Sequence, residues 1–290
     1  MKTSKTVVSL SFLIAILAAI SSSTGLFWQS EGSPFAFTTL HGQTVQMYGQ
    51  GLYRFDTFFK APIFLGTDAI MLFMGVPLLL LSIFLYRGGS LRGGLLLVGL
   101  LTCFLYYSAS MAFGAAYNRL FLLYVATFSA SFFAFVLALT SIDLESLPGR
   151  ISPRMPHRGI AVFMFVAALS PLVWLVEAIN ALITGVVPAG LASYTTDITT
   201  VIDVGLIVPA SILAGVLVLR RSAFGYPLAA LLLTLLSLIG MVVVGQTVAQ
   251  TMTGVELTGL EFALYVIPFV TLSLVAIGLV ISIFGNISEG

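Results

Sequence analysis

The sequence predicts an all-α integral membrane protein with about eight transmembrane helices. One is N-terminal, seven follow as a bundle, and a small extracytoplasmic loop subdomain joins the two. Three observations lead there. Hydrophobic residues make up 59% of the 290 residues and charged residues only 8%, where a soluble domain carries roughly a quarter charged residues. Apolar runs of about 20 residues, each long enough to cross a hydrocarbon core as a helix, recur along the chain. The positive charges also sort by side once those runs are taken in alternation. The chain therefore reads as one helical membrane domain over 1–290, with no separate soluble domain.

The first span lies near 7–28. Lys2 and Lys5 precede an apolar run over 7–20, and Ser21, Ser22, Ser23 and Thr24 follow it. A basic start, a short apolar core and small residues also describe a secretory signal peptide. The apolar character resumes at Leu26, Phe27 and Trp28, which favours an uncleaved first helix. Cleavage would leave seven helices.

The segment 29–64 is long for a connection, and loops of this length are often functional or separately structured. Residues 35–40 and 43–48 flank His41-Gly42 and predict a β-hairpin. Gly49 and Gly51 then bracket a turn. Residues 52–60 read as a short interfacial helix that holds Tyr53, Phe55, Phe58 and Phe59 at headgroup depth, where aromatic rings are favoured. Two readings of this loop stay open: a collar over the helix ends, or a ligand-binding element.

The remaining spans lie near 65–86, 94–116, 119–141, 159–183, 201–219, 226–248 and 261–284. Glycines in the 87–94 connection predict a tight turn. The loop 141–158 carries Pro148, Pro153 and Pro156 and is too short for a catalytic domain. Lys2, Lys5, Arg87, Arg92, Arg150, Arg154, Arg158, Arg220 and Arg221 fall on one side, and only Arg54, Lys60 and Arg119 on the other. By the positive-inside rule both termini are cytoplasmic and the protein sits in the inner membrane.

Charges inside a membrane are costly, so each is a candidate site. Asp68, Asp203 and Glu261 stand near the outer starts of their helices. Glu177 lies among apolar residues about two turns before the outer end of its own. Asn118, Arg119, Asn180, Gln246 and Gln250 reach the same level, and Arg54 lies in the loop before it. Together they suggest an acidic, outward-facing vestibule, with Arg119 as the cation nearest in depth to Glu177. Each acidic helix also carries a proline: Pro77, Pro171, Pro209 and Pro268. Mid-helix proline frees a carbonyl and kinks a helix. The plainer reading of Asp68 and Asp203 is capping, because a negative charge is stabilised at a helix N-terminus. Small-residue pairs such as Ser110 with Gly114 and Ser211 with Gly215 predict close helix contacts.

Several function classes drop out. The net charge of +1 gives no electrostatic case for nucleic acid. Cys103 is the single cysteine, so no intrachain disulfide forms, and His41 and His157 lie in different loops. No P-loop, zinc-protease or nucleophile-elbow motif occurs. No mid-membrane lysine is present to hold a retinal. The sequence implies no cofactor and leaves a metal ion undecided.

Three segments resemble a family of prokaryotic multi-pass membrane proteins with no assigned activity. They are Tyr48-Gly49-Gln50-Gly51-Leu52-Tyr53-Arg54-Phe55-Asp56-Thr57 followed by Gly66-Thr67-Asp68, then Gly89-Ser90-Leu91-Arg92-Gly93, then Phe113-Gly114-Ala115-Ala116-Tyr117-Asn118. The resemblance implies the same architecture over most of the chain. It draws attention to Tyr53, Arg54, Asp56, Asp68 and Asn118, and implies no mechanism.

Three readings of function follow. The first is binding or transport of a small solute or cation through the vestibule, with the bilayer as the other partner. The second is a sensor or accessory subunit that recognises a protein partner through the 29–64 loop. The third is an enzyme acting on lipid by acid–base work of the carboxylates, which ranks last because no His or Cys is placed beside them.

Overall fold

A computed structural model describes residues 3–28 and 30–289, so the expectations that rest on Lys2 and Gln29 lie outside the described residues. Eight of its helices are long and apolar enough to cross a membrane: α1 (Lys5–Phe27), α2 (Lys60–Arg87), α3 (Leu91–Gly114), α4 (Phe121–Thr140), α5 (His157–Thr184), α6 (Ile198–Leu219), α7 (Gly225–Met252) and α8 (Gly259–Gly285). The chain is a multi-pass helical membrane protein. A two-stranded antiparallel hairpin, β1 (Phe35–Thr38) and β2 (Thr44–Met47), joins α1 to α2.

Helices α3 and α7 form the centre. Helix α3 packs on α2, α4 and α7, and α7 packs on α2, α6 and α8. Small residues permit this. Gly99 of α3 lies against Thr234 of α7, Gly66 of α2 against the α7 backbone at Gly245 and Gln246, and Gly240 of α7 against Ser273 of α8. Close backbone approach is how helices associate in lipid, where no hydrophobic force drives them together. The expected small-residue pairs serve likewise: Gly114 meets Ile198 of α6, and Gly215 meets Phe165 of α5. Helix α1 fills the far side, against α2 and α4.

The four acidic helices are the broken ones. In α2, α6 and α8 a five-residue π turn precedes the proline: Met71–Gly75 before Pro77, Asp203–Ile207 before Pro209, and Phe262–Val266 before Pro268. In each, the amide of the residue before proline bonds a carbonyl five residues back, as Val76 does to Met71. Proline has no N–H and collides with the carbonyl four residues earlier. One extra residue per turn is a way around that clash. Helix α5 responds oppositely and tightens to a 3₁₀ turn over Ser170–Val173 around Pro171.

The hairpin forms as expected, Phe35 opposite Met47 and Thr38 opposite Thr44, with Gly42 at φ +77° in the turn. The expected interfacial helix over 52–60 does not form. Amides of Tyr48, Gly49 and Phe58 instead bond carbonyls of Asp56, Arg54 and Gln46. Those bonds fold residues 53–58 back onto β2 as a collar, and α2 begins at Lys60. Tyr53 is consequently turned inward and buried.

At the opposite end the segment after α8 clasps the loops. Ile287 bridges to Ile151. The Glu289 carboxylate accepts from the amide of Leu91 at 2.7 Å and the hydroxyl of Ser90 at 2.8 Å. A carboxylate at a helix N-terminus meets both free N–H groups and the positive dipole end.

Candidate functional site

Asp68 sits on the third turn of α2, about 12 Å along the helix from its start, and is fully buried. Four elements converge on it. From the collar, Tyr53 donates its hydroxyl to Oδ2 at 2.5 Å; from α3, Tyr107 donates to Oδ1 at 2.8 Å. The Tyr107 oxygen also lies 2.8 Å and 3.1 Å from the hydroxyls of Ser21 and Ser22 on α1. Gly25 completes the wall, since a Cβ there would run into the Asp68 carboxylate and the Tyr53 hydroxyl. Tyr124 of α4 lies beside Tyr53 and Asn118, with its hydroxyl buried and making no hydrogen bond of normal geometry.

Asp203 is the second buried carboxylate, 6% exposed. It opens the π turn of α6. Tyr106 of α3 donates to its Oδ1 at 2.9 Å. Trp174 of α5 faces it with a buried indole N–H that makes no hydrogen bond of normal geometry. That indole stacks on Tyr265 and Phe269 of α8, at 5.2 Å and 6.1 Å between ring centres. Adjacent tyrosines on α3 thus address two carboxylates on two different helices. Successive helical residues point about 100° apart, so one helix reaches both sides.

A third buried carboxylate, Asp56, lies in the collar and outside the spans, 1% exposed. Its Oδ1 accepts from the Ala116 amide at 2.8 Å and the Tyr194 hydroxyl at 2.9 Å. Its Oδ2 has no hydrogen-bond partner. Burial pushes its pKa from the ordinary carboxylate value up to about 6, against the opposing pull of those hydrogen bonds and of Lys60. The Lys60 ammonium rests on the Tyr194 ring, 4.5 Å from its centre. Burial also raises the Tyr194 hydroxyl well above its usual range, so it remains a donor.

The nine expected residues do not assemble into one vestibule. Asp68 and Asp203 are not N-caps: Asp197 caps α6 through the Thr199 amide, and Glu261 forms a reciprocal capping box with Thr258 at the start of α8. Glu177 and Asn180 lie exposed on the last part of α5, where no residue is buried. Arg119 does not neutralise Glu177; its guanidinium lies over the Trp28 ring at 5.4 Å. Arg54 covers the neighbouring Phe55 ring. Asn118 closes its own turn, accepting from the Leu120 amide. Gln246 donates to Thr67, one residue from Asp68. The residues not anticipated are the hydroxyl partners: Ser21, Ser22, Tyr106, Tyr107 and Tyr194. The adjacent tyrosines in a leucine-rich run were the available signal.

Among the described residues, no basic side chain pairs with Asp68 or Asp203, and the single ion pair joins Arg92 to Glu289 at 3.6 Å. No cluster of three or more metal-ligating side chains occurs there either. Comparison with protein-family models, curated proteins and solved structures finds no match to this chain.

Proposed function

We propose that the protein binds a small solute or cation within the membrane and moves it, with Asp203 as the exchanging carboxylate and Asp68 as the fixed one. The observation that carries this reading is a pair of carboxylates buried inside membrane-crossing helices, without a basic partner among the described residues and joined through adjacent tyrosines of α3. An ionised carboxylate in hydrocarbon is costly unless paired. A proton or a bound cation removes that cost. The broken helices supply what movement requires, because irregular backbone at membrane depth is tolerated where it is buried in protein or lines a cavity, and discontinuous helices form the sites of many transporters.

The charge distribution supports an orientation with both termini cytoplasmic and the hairpin outside; a prokaryotic inner membrane is what the resemblance of the three segments implies. A second reading, an accessory subunit that recognises a protein through the collar, is favoured by one observation: Leu40 at the hairpin tip is 98% exposed.

The test is the apparent melting temperature of purified protein in detergent, across pH and with Na⁺, K⁺ or Mg²⁺, for wild type and Asp203→Asn. A ligand at 100 times its Kd stabilises by about 2.7 kcal/mol. The expected result is a proton- or cation-dependent rise that the substitution abolishes, matched by uptake of the same ion into reconstituted vesicles. A wild type indifferent to every condition overturns the reading.

A further inference from the structure

At the hairpin end, outside the bundle, a cleft of about 530 Å³ opens between the hairpin, the α3–α4 turn and the α5–α6 loop. Its volume is within the usual range for small-molecule sites. Six aromatic rings line it: Phe35, Phe37, Phe55, Phe113, Tyr117 and Tyr194. No acidic or basic side chain does so among the described residues. Tyr117, Ser193, Thr195 and Thr196 also line it, and among the described residues their hydroxyls make no side-chain hydrogen bond to the protein, so donors are available there. The walls are held in place from behind, because Asp56 fixes both the Ala116 amide and the Tyr194 hydroxyl. A site whose walls are already ordered loses less entropy on binding.

Each feature limits the occupant. The lining residues carry no charge, and the cations that lie against two of the lining rings, Arg54 on Phe55 and Lys60 on Tyr194, are already engaged there, which favours a neutral molecule over an ion. Aromatic walls favour a planar ring over a saturated chain, because offset and edge-to-face ring pairs gain about 0.5–1.5 kcal/mol beyond area burial. Free hydroxyl donors favour carbonyl acceptors. The cleft lies where α3 ends and α4 begins, at the end of two helices long and apolar enough to cross a membrane, which favours a ligand that partitions into the bilayer. We propose that this cleft binds a neutral, membrane-partitioned amphiphile with a planar ring of the quinone class. Its ring packs among the phenyl groups, and its carbonyl oxygens accept from the rim hydroxyls. The site is separate from the two buried carboxylates and does not depend on their role.

The experiment is calorimetric titration of the purified full chain in detergent with a short-chain benzoquinone, and with a saturated fatty alcohol of similar length. Phe37→Ala and Tyr117→Ala are the test variants. Both side chains are exposed, so neither substitution threatens the fold. Asp203→Asn is the separating control. The expected result is saturable one-to-one binding of the benzoquinone, weakened about three- to tenfold by each cleft variant and unchanged by Asp203→Asn. No saturable binding, or affinity indifferent to both cleft variants, overturns the proposal. Equal affinity for the fatty alcohol also overturns it and makes the cleft a groove for lipid chains.

Discussion

Asp68 and Asp203 are the same residue type at similar depth, each met by one of two adjacent tyrosines, yet their surroundings differ. Asp68 has both oxygens bonded and is surrounded by four elements: α1, α3, α4 and the collar. Asp203 has one bonded oxygen and faces an indole N–H that is not properly engaged. Asp68 belongs to the tightly packed N-terminal half. Asp203 belongs to the half in which the end of α5 buries nothing. Fully satisfied buried networks make a structure rigid, whereas an unpaired buried polar group is costly. The comparison fits the proposed division, in which Asp68 is the fixed carboxylate and Asp203 the exchanging one.

Removing each carboxylate is the strongest way to break that contrast. Asp68→Ala strands the Tyr53 hydroxyl and removes one partner of Tyr107, which keeps Ser21 and Ser22. An unsatisfied buried donor costs about 1–3 kcal/mol. A loss near the upper end, about 3 kcal/mol, is expected because the surrounding wall is filled. Asp203→Ala strands Tyr106 in a less filled surrounding and is expected to cost less. Denaturation in detergent measures both. Equal losses would mean that the two sites are equivalent.

Asp56 sharpens the comparison, because it has one satisfied oxygen like Asp203 but lies where water and pH act on it. Its folded-state pKa is raised to about 6 by burial. As pH rises through about 4 to 6, the unfolded chain loses its proton first, so stability falls over that window. The full effect is about 3 kcal/mol, from about 1.4 kcal/mol per pH unit. Lys60 and Tyr194, which face it from α2 and the α5–α6 loop, are expected to keep their protonation over that range. Protection factors of the amides over 46–58, which are exchange rates divided into the intrinsic rate at the same pH, are expected to be higher at pH 4 than at pH 7 in wild type, and the difference to shrink in Asp56→Asn. A collar that tightens as pH rises would contradict this.

Two glycines give a smaller, matched test. A methyl on Gly25 collides with the Asp68 carboxylate, while one on Gly205, two residues after Asp203, meets nothing within 4 Å. Overpacking a filled site costs about 1–3 kcal/mol. Gly→Ala in open helical space gains about 0.4–1 kcal/mol by restricting the unfolded chain. Gly25→Ala is expected to lower the melting temperature and Gly205→Ala to raise it slightly. Changes of the same sign would remove the packing difference.

The architecture was legible because bilayer thickness dictates the length of apolar runs, and because Gly42 with flanking alternation marks a hairpin. The proline positions were legible too, and π turns stand before three of them. The site was legible only in part. Asp68 and Asp203 stood out as charges in apolar runs, but their partners were hydroxyls, and apart from the adjacent Tyr106 and Tyr107 these carry no distinguishing signal in a membrane helix. Ser21 and Ser22 looked like the small residues after a signal core, whereas their position in space makes them neighbours of Tyr107. Pairing Glu177 with Arg119 rested on depth along the sequence, which says nothing about the angle around the bundle.

Glu177 supplies the smallest expected effect and the cleanest check on that last point. It is exposed and has no salt-bridge or hydrogen-bond partner among the described residues. The nearest feature is Gly190 of the following loop, where a Cβ would lie 3.2 Å from Oε2. Substitutions at such positions usually change stability by less than about 0.5 kcal/mol. Glu177→Gln is therefore expected to melt like wild type at every pH and in every salt, while Asp203→Asn loses its response. If Glu177→Gln instead abolished a cation-dependent shift, the exchanging carboxylate would lie on the exposed face of α5. The buried pair on α2 and α6 would then both be architectural, and the contrast between them would be one of packing alone.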